Sequence, residues 1–448
     1  MAQRLLGLFL VLVILLGLLG SHSVLALGIN GTSISTEHSD LVFPDYLERS
    51  KIIRNYEGLV RQSPNSFLLL RLLAAQYLRR FRETADVEDL LRAEHAAARS
   101  LSLQSHHNTS ASMLLTSALL SQHRFQEALQ TATKAQQSAP DDVSLKMLKA
   151  SILMELGSYE ATGKLLQPME TQSDSGQTAI VARYLELTGH LTSARKLMDG
   201  AIQEMDNFYT NPAETVAWFH VRAGDLAFLA EEFVQAEKRY HEALAIFPHD
   251  VAALTGLTRL YAVQHRWQNV LETANQGIDR IPLIETLGYK ADAQRALGNP
   301  DGAIATEEII EVVAHLSKVQ GIYDRALAVY YSEHGIHLSE ALEIARREVK
   351  IRDDIYAEDT LAWAAAANGA WQEAQQAAKR ATRYETEDAL LQFHRGIIEL
   401  HCGNRGEAVQ RLRQALTLNS QFHPKYAVEA RQALAELKAA TIQDSLPS

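Results

Sequence analysis

A pattern of small and large side chains repeats along this chain with a period of about 34 residues, and few folds can use such a period. Its clearest copy is residues 217–250, AWFHVRAGDLAFLAEEFVQAEKRYHEALAIFPHD. Small residues stand at positions 8, 20 and 27 of this copy (Gly224, Ala236, Ala243), and bulky ones at 17 and 24 (Phe233, Tyr240). Pro248 at position 32 lacks an amide donor and stops the preceding helix. The same frame returns at 109–142 (Ala128, Ala135, Pro140), 143–174 (Ala150, Gly157, Tyr159) and 175–208 (Ala182, Gly189, Ala194, Ala201). It continues at 251–283 (Leu257, Tyr261, Trp267, Pro282), 284–317 (Ala291, Gly298, Ala303) and, more weakly, 322–354 (Ala341). The last copies are 355–388 (Leu361, Ala362, Gly369, Trp371, Ala374, Ala381) and 389–422 (Gly396, Gly403, Ala408, Ala415). From Pro44 onward apolar residues follow the i, i+3/i+4, i+7 spacing of helices, and strand-like alternation is absent. Glycine and proline number 23 and 10. Together they make about 7% of the chain against roughly 12% in average usage, too few for sandwiches, barrels or Rossmann units.

These residues resemble the tetratricopeptide repeat, in which small side chains let two antiparallel helices, and the first helix of the next repeat, approach closely. The resemblance implies an all-α, right-handed α-solenoid of about nine to ten helical hairpins. It also implies a concave face lined by the first helix of each repeat, at positions 2, 5, 9 and 12. In the early repeats those positions hold Ser110, Met113, Ser117, Ser144, Met147 and Ser151, a nearly neutral set. Later repeats offer Trp218, Asp225, Phe228, Arg259, Asp292, Arg295, Tyr323, Tyr330, Tyr356 and Trp363, aromatic groups interspersed with charge as in binding hot spots. The competing reading is that rings at helical spacing belong to the core. The lysine and asparagine set with which some members of the family clamp a C-terminal carboxylate is missing from the early repeats. Residues 330–346 and 359–426 further resemble the closing segment of a group of exported bacterial tetratricopeptide proteins, with a departure at the small run Ala364–Ala367.

The ends of the chain read differently. Leu5 to Leu19 is an apolar run of 15 residues behind Arg4, and Val24-Leu25-Ala26 approximates a signal-peptidase site. Residues 1–26 are therefore either a cleaved signal peptide or an uncleaved membrane anchor, and the chain is expected in a secreted or periplasmic, extracytoplasmic location. Residues 27–43 read as a flexible tether, 44–108 as N-terminal helices with an expanded first repeat, and 109–422 as the repeat array. Residues 423–440 read as a capping helix whose Val428, Leu434 and Leu437 face the last repeat, and 441–448 as a disordered tail. Asn30-Gly31-Thr32 and Asn108-Thr109-Ser110 match the short glycosylation acceptor pattern.

Composition narrows the function classes. A formal charge of −11 argues against nucleic acid and against a polybasic lipid-docking patch. One cysteine, Cys402, leaves no disulfide framework or CxxC site and reads as a small half-buried residue. Among 17 histidines the pair His334 and His337 lacks carboxylate support, and His106-His107 lies in a loop, so no metal or other cofactor is expected. His394 falls on the first helix of the last repeat and reads as a buried, hydrogen-bonded structural residue. Acid pairs such as Asp353-Asp354 and Glu307-Glu308 read as solvated helix faces. No GxSxG, GxxxxGK[ST] or GxGxxG element is present. The expected function is a non-catalytic scaffold holding an extended peptide or partner helix in its groove. The alternative is an accessory or assembly factor that binds envelope glycan, with Trp363, Tyr356 and Tyr330 stacking on sugar rings.

Overall fold

The computed structural model describes residues 45–167, 175–206, 211–319 and 325–444, and these form helices and turns only. The apolar run, the tether and residues 445–448 lie outside the described residues, and among the described ones no helix is long and apolar enough to cross a membrane.

After α1 (Arg49–Gln62) the chain forms ten helical hairpins among the described residues. The first four are α2 (Phe67–Thr84) with α3 (Val87–Leu103), α4 (Thr109–Ser121) with α5 (Phe125–Ser138), α6 (Val143–Glu155) with α7 (Tyr159–Leu166), and α8 (Ser175–Leu187) with α9 (Leu191–Asp206). Next come α10 (Ala213–Leu229) with α11 (Phe233–Ile246), α12 (Val251–Val263) with α13 (Trp267–Ile278), and α14 (Ile284–Ala296) with α15 (Pro300–Val319). The array closes with α16 (Arg325–His334) and α17 (Leu338–Ile351), α18 (Ile355–Ala367) and α19 (Trp371–Ala381), and α20 (Ala389–His401) and α21 (Arg405–Leu418). A single helix, α22 (Tyr426–Asp444), follows.

Local chemistry sets these boundaries. Pro140, Pro248 and Pro282 each fall just past a second helix. Aspartates then open several first helices: Asp142 accepts from the Leu145 amide at 3.0 Å, and Asp388 accepts from Leu390 at 2.9 Å. Asp354, read from sequence as part of a solvated acidic face, is 5% exposed. It accepts from the Tyr356 and Ala357 amides at 3.0 and 3.2 Å while pairing with Arg325 and Arg352. Between the two helices of a hairpin the chain needs a left-handed residue, which glycine supplies at Gly157, Gly369 and Gly403 with φ of 75°, 74° and 81°. His123 and His265 occupy the equivalent turns at φ 57° and 56°.

The helices fall into two compact units. Unit 1 comprises the chain up to Tyr184 with Lys196–His220 and Glu242–Ala252. In its core Ala128, Ala132 and Ala135 of α5 pack against Leu119 and Met113 of α4 and Leu145, Leu148 and Ile152 of α6. One hairpin therefore cannot bury its apolar face without its successor. Of the six groove positions here, Met113, Met147 and Ser151 are buried, while Ser110, Ser117 and Ser144 are half-buried. Asn108 is 2% exposed and donates its amide to Ser100 and Gln104, which seals it from modification. Contacts distant in sequence close the unit. Arg79 and Arg82 reach the buried Glu214 at 3.6 and 3.3 Å, and the ring of Tyr46 meets Phe247 edge-on.

Unit 2 comprises Leu185–Arg195, Val221–His241 and the chain from Ala253. It also closes through contacts distant in sequence. Thr386 Oγ1 donates to the Leu187 carbonyl at 2.7 Å, and the Leu191 amide donates to Glu387 at 3.1 Å. The Asn419 side chain, 1% exposed, donates to the Phe228 carbonyl at 2.8 Å, and Ser420 bonds Glu231 through both its amide and its hydroxyl. Gly189 sits where a Cβ would lie 2.8 Å from the Glu385 carbonyl oxygen, so the seam admits no side chain there. The closing helix α22 packs through Tyr426, Ala427, Ala430 and Leu437, with Leu434 at the margin. Val428, expected on that face, is 40% exposed because the buried stripe starts one residue earlier. The helix also runs to Asp444, four residues beyond the end read from sequence.

Candidate functional site

In unit 2 the first helices of successive repeats carry a run of polar and aromatic groups where apolar packing would be expected. Its first node is Asp225 on α10, which accepts from Arg222 at 2.8 Å, from the Tyr240 hydroxyl at 2.8 Å and from Arg259 of α12 at 3.1 Å. Arg222 also holds Glu186 at 2.6 Å, and the Arg259 guanidinium lies 4.4 Å from the Phe228 ring centroid. Tyr240, fully buried, packs close against two glycines. A Cβ at Gly224 would approach its ring to 2.6 Å, and one at Gly256 to 2.5 Å. The small residues of the repeat frame are thus spaces for one ring.

A second node lies further along, where α14, α16, α18 and α20 and the start of α22 meet. His394 of α20 is 2% exposed, with its Nδ1 2.9 Å from an Asp359 carboxylate oxygen and its ring stacked on Trp363 at 4.2 Å. Trp363 Nε1 donates to the Tyr426 hydroxyl at 3.1 Å. The Tyr426 ring stacks on His423 at 4.3 Å. His423 Nδ1 accepts the Lys425 and Tyr426 amides at 3.3 Å each, so the proton of its neutral ring is on Nε2, 3.7 Å from Glu333. Burial first, then the nearby cationic groups, hold His423 down to about 3. Burial opposes protonation of His334, but Asp292, the Tyr330 carbonyl and Glu333 together raise its pKa.

Glu333, on α16, is the most perturbed acid of this node. Burial pushes its carboxyl from 4.5 up to about 7, opposed by His394 and His334 and reinforced by Asp292 and Glu285. A carboxyl with a folded pKa above its unfolded value favours folding fully below about pH 4.5 and loses that contribution as pH rises to about 7. A shift of that size corresponds to on the order of 3 kcal/mol. Glu333→Gln is therefore expected to melt above the unsubstituted chain at about pH 8 and with it at about pH 4. Equal melting temperatures at both values would show that Glu333 is not perturbed.

The ten sequence-predicted groove residues divide by burial. Asp225, Phe228 and Tyr330 are 7%, 5% and 5% exposed, so they build the wall more than they present a surface. Trp218 lies in unit 1, half-buried and edge-on to Phe219. Arg259, Asp292, Tyr356 and Trp363 are half-buried, Arg295 is exposed and paired with Glu307, and Tyr323 lies outside the described residues. Asp292, Tyr330 and Trp363 converge on the second node; Asp225, Phe228 and Arg259 form the first. Glu285, Glu333 and Asp359 stand at groove positions 2, 12 and 5 of their repeats, so the frame pointed to them although aromatics drew the eye. His394 is buried and hydrogen-bonded, as its place in the sequence suggested. Cys402 is half-buried against the Trp371 carbonyl. Among the described residues no cluster of three histidine, cysteine or acidic side chains has the geometry to hold a metal ion.

Paired antiparallel helices in a period of about 34 residues, with small residues at each close approach, define an α-solenoid of the tetratricopeptide type. No family model matches the chain, and no curated protein matches it. Among solved structures it is similar to yeast Tom70, with a TM-score of 0.36 and 12% identity over 89% of this chain and 93% of that one. It is also similar to a monomeric mutant of IFIT1 with Gppp-AAAA, with a TM-score of 0.48 and 14% identity over 75% of this chain and 76% of that one. Neither likeness is close enough to bear on function, and the fold assignment rests on the helices themselves.

Proposed function

We propose that this protein is a non-catalytic scaffold, working outside the cytoplasm, that binds a peptide segment of a partner protein on the first-helix face of unit 2. The observation that carries this reading is the second node. Four successive first helices bring Glu333, Asp292, His394 and the half-buried Trp363 to one face, where a helical repeat needs only apolar contacts for stability. The extracytoplasmic part of the proposal is supported by the apolar run Leu5–Leu19. An Asp–His pair also serves hydrolases, but no hydroxyl or thiol reaches the free nitrogen of His394 among the described residues. Glycan stacking is less well supported, because Trp363 has one ring face against His394 and the buried Tyr330 has one against His334.

The test is capture from a native membrane-plus-exterior extract by the full chain, alongside an Asp292→Ala, Arg295→Ala variant. These two side chains are the most open of the set, 42% and 44% exposed, so the variant should fold normally. A protein retained by the native chain and lost from the variant is the expected result. Equal retention would place the binding surface elsewhere, and no retention would remove the protein-partner reading. Recovery of the tagged chain from the cytoplasmic fraction of its own cells would overturn the location.

A further inference from the structure

We infer that the second node of unit 2 is a subsite for a single organic cation, the ammonium or guanidinium of a lysine or arginine side chain in the bound peptide. This deepens the scaffold reading and rests on it for the source of that cation.

The argument begins with His394. Its Nδ1 faces a carboxylate, Asp359, at 2.9 Å, and a carboxylate only accepts; Nδ1 therefore carries the proton. In the neutral ring Nε2 is then a lone-pair acceptor. It is buried and has no hydrogen-bond partner among the described residues. Leaving such a group unserved costs about 1–3 kcal/mol, so a site that retains it is built for a donor that arrives from outside. With Nδ1 turned to Asp359, Nε2 lies on the opposite ring edge. That ring is stacked on Trp363, whose Nε1 donates to Tyr426, and Tyr426 in turn stacks on His423, 3.7 Å from Glu333.

The surroundings specify the donor's charge. Glu333 has one close partner among the described residues, the neutral His423 at 3.7 Å, beyond hydrogen-bonding distance. Asp292 lies 3.5 Å from His334 Nε2 and is 42% exposed. Glu285 has no hydrogen-bond donor among the described residues, and burial raises its pKa. Arg259 is engaged with Asp225 at the first node, and the exposed Arg295 is paired with Glu307. The node therefore presents more acceptors than donors: among the described residues the buried His394 Nε2 and Glu285 meet no donor, and Glu333 faces only the neutral His423. The half-buried Trp363, stacked on His394, supplies an aromatic ring of the kind that attracts cations. A bare metal ion is a poor fit, since no three ligands converge among the described residues. An ammonium or guanidinium brings both the hydrogen-bond donors and the charge.

The test titrates the full chain, in nonionic detergent, with n-butylammonium chloride and with n-butylguanidinium chloride. Sodium chloride at matched ionic strength and sodium butyrate serve as controls. Two readouts apply: the melting temperature, and the 15N resonance of His394 Nε2, assigned through its loss in His394→Gln. The expected result is a saturable rise in melting temperature with one or both cations and with neither control. The Nε2 signal should move from an unbonded lone pair toward a hydrogen-bonded one. Glu333→Gln, a variant expected to fold at neutral pH, should weaken that binding by about tenfold or more, the loss of one charge-assisted hydrogen bond. A response equal to that of sodium chloride, undiminished binding in Glu333→Gln, or a His394 Nε2 protonated without probe would each overturn the inference. If the probe binds but no protein is captured, the subsite stands and the peptide partner falls. If a protein is captured and the probe does not bind, the reverse holds.

Discussion

Asp225→Leu is expected to lower stability by about 3–4 kcal/mol, the largest single-residue effect outside the apolar core. The substitution leaves Arg222, Arg259 and the Tyr240 hydroxyl without the carboxylate that now serves all three. Arg222 retains Glu186, but Arg259 has no other ion pair among the described residues, and Tyr240 is fully buried. The energetic loss comes mainly from stranding these donors, because a buried pair contributes little until one partner is removed. Asp225→Asn keeps an acceptor for the tyrosine and should lose about half as much. Thermal melts of the two variants separate the readings. A domain of this size loses roughly 2–4 °C per kcal/mol, so Asp225→Leu should melt about 10 °C below the unsubstituted chain. Equal melting of Asp225→Leu and Asp225→Asn would remove the charge from the account.

The second large effect is steric. Gly256→Ala places a methyl carbon 2.5 Å from the Tyr240 ring, which is fully buried and also lies close against Gly224. The ring cannot retreat, so the expected cost is about 3 kcal/mol, at the upper end for overpacking. Tyr240→Leu in the same background should recover part of that loss, although it sacrifices the hydroxyl bond to Asp225. Non-additivity in this cycle, measured by chemical denaturation, is the diagnostic quantity. If Gly256→Ala is neutral alone, Tyr240 does not fill the space between the two glycines.

Much of the architecture was legible because a helical repeat is a local device. Spacing of alanine and glycine at Ala128, Ala236 and Ala303 determines where helices can approach, and those side chains are all fully buried. Prolines such as Pro140 and Pro248 end helices by their own chemistry, whatever surrounds them. The site was legible only in part. Position in the frame picked out Asp292, Tyr330 and Trp363, but it could not show that Tyr330 turns inward while Arg295 remains in solvent. It also treated His394 as finished once buried, since the partner of one ring nitrogen and the isolation of the other are facts of three dimensions.

By itself, then, the sequence determined the helical hairpins, their number and the small residues that let them touch, because each depends on neighbours within about one period. Tertiary structure alone decided the seams, where Thr386 meets Leu187 and Asn419 meets Phe228 across 199 and 191 residues of chain. It also decided which charges are left facing one another. Asp359, Glu333 and His394 belong to different repeats, and each is unremarkable in its own. The raised pKa of Glu333 and the free imidazole nitrogen of His394 arise from desolvation and proximity, which no period in a sequence encodes.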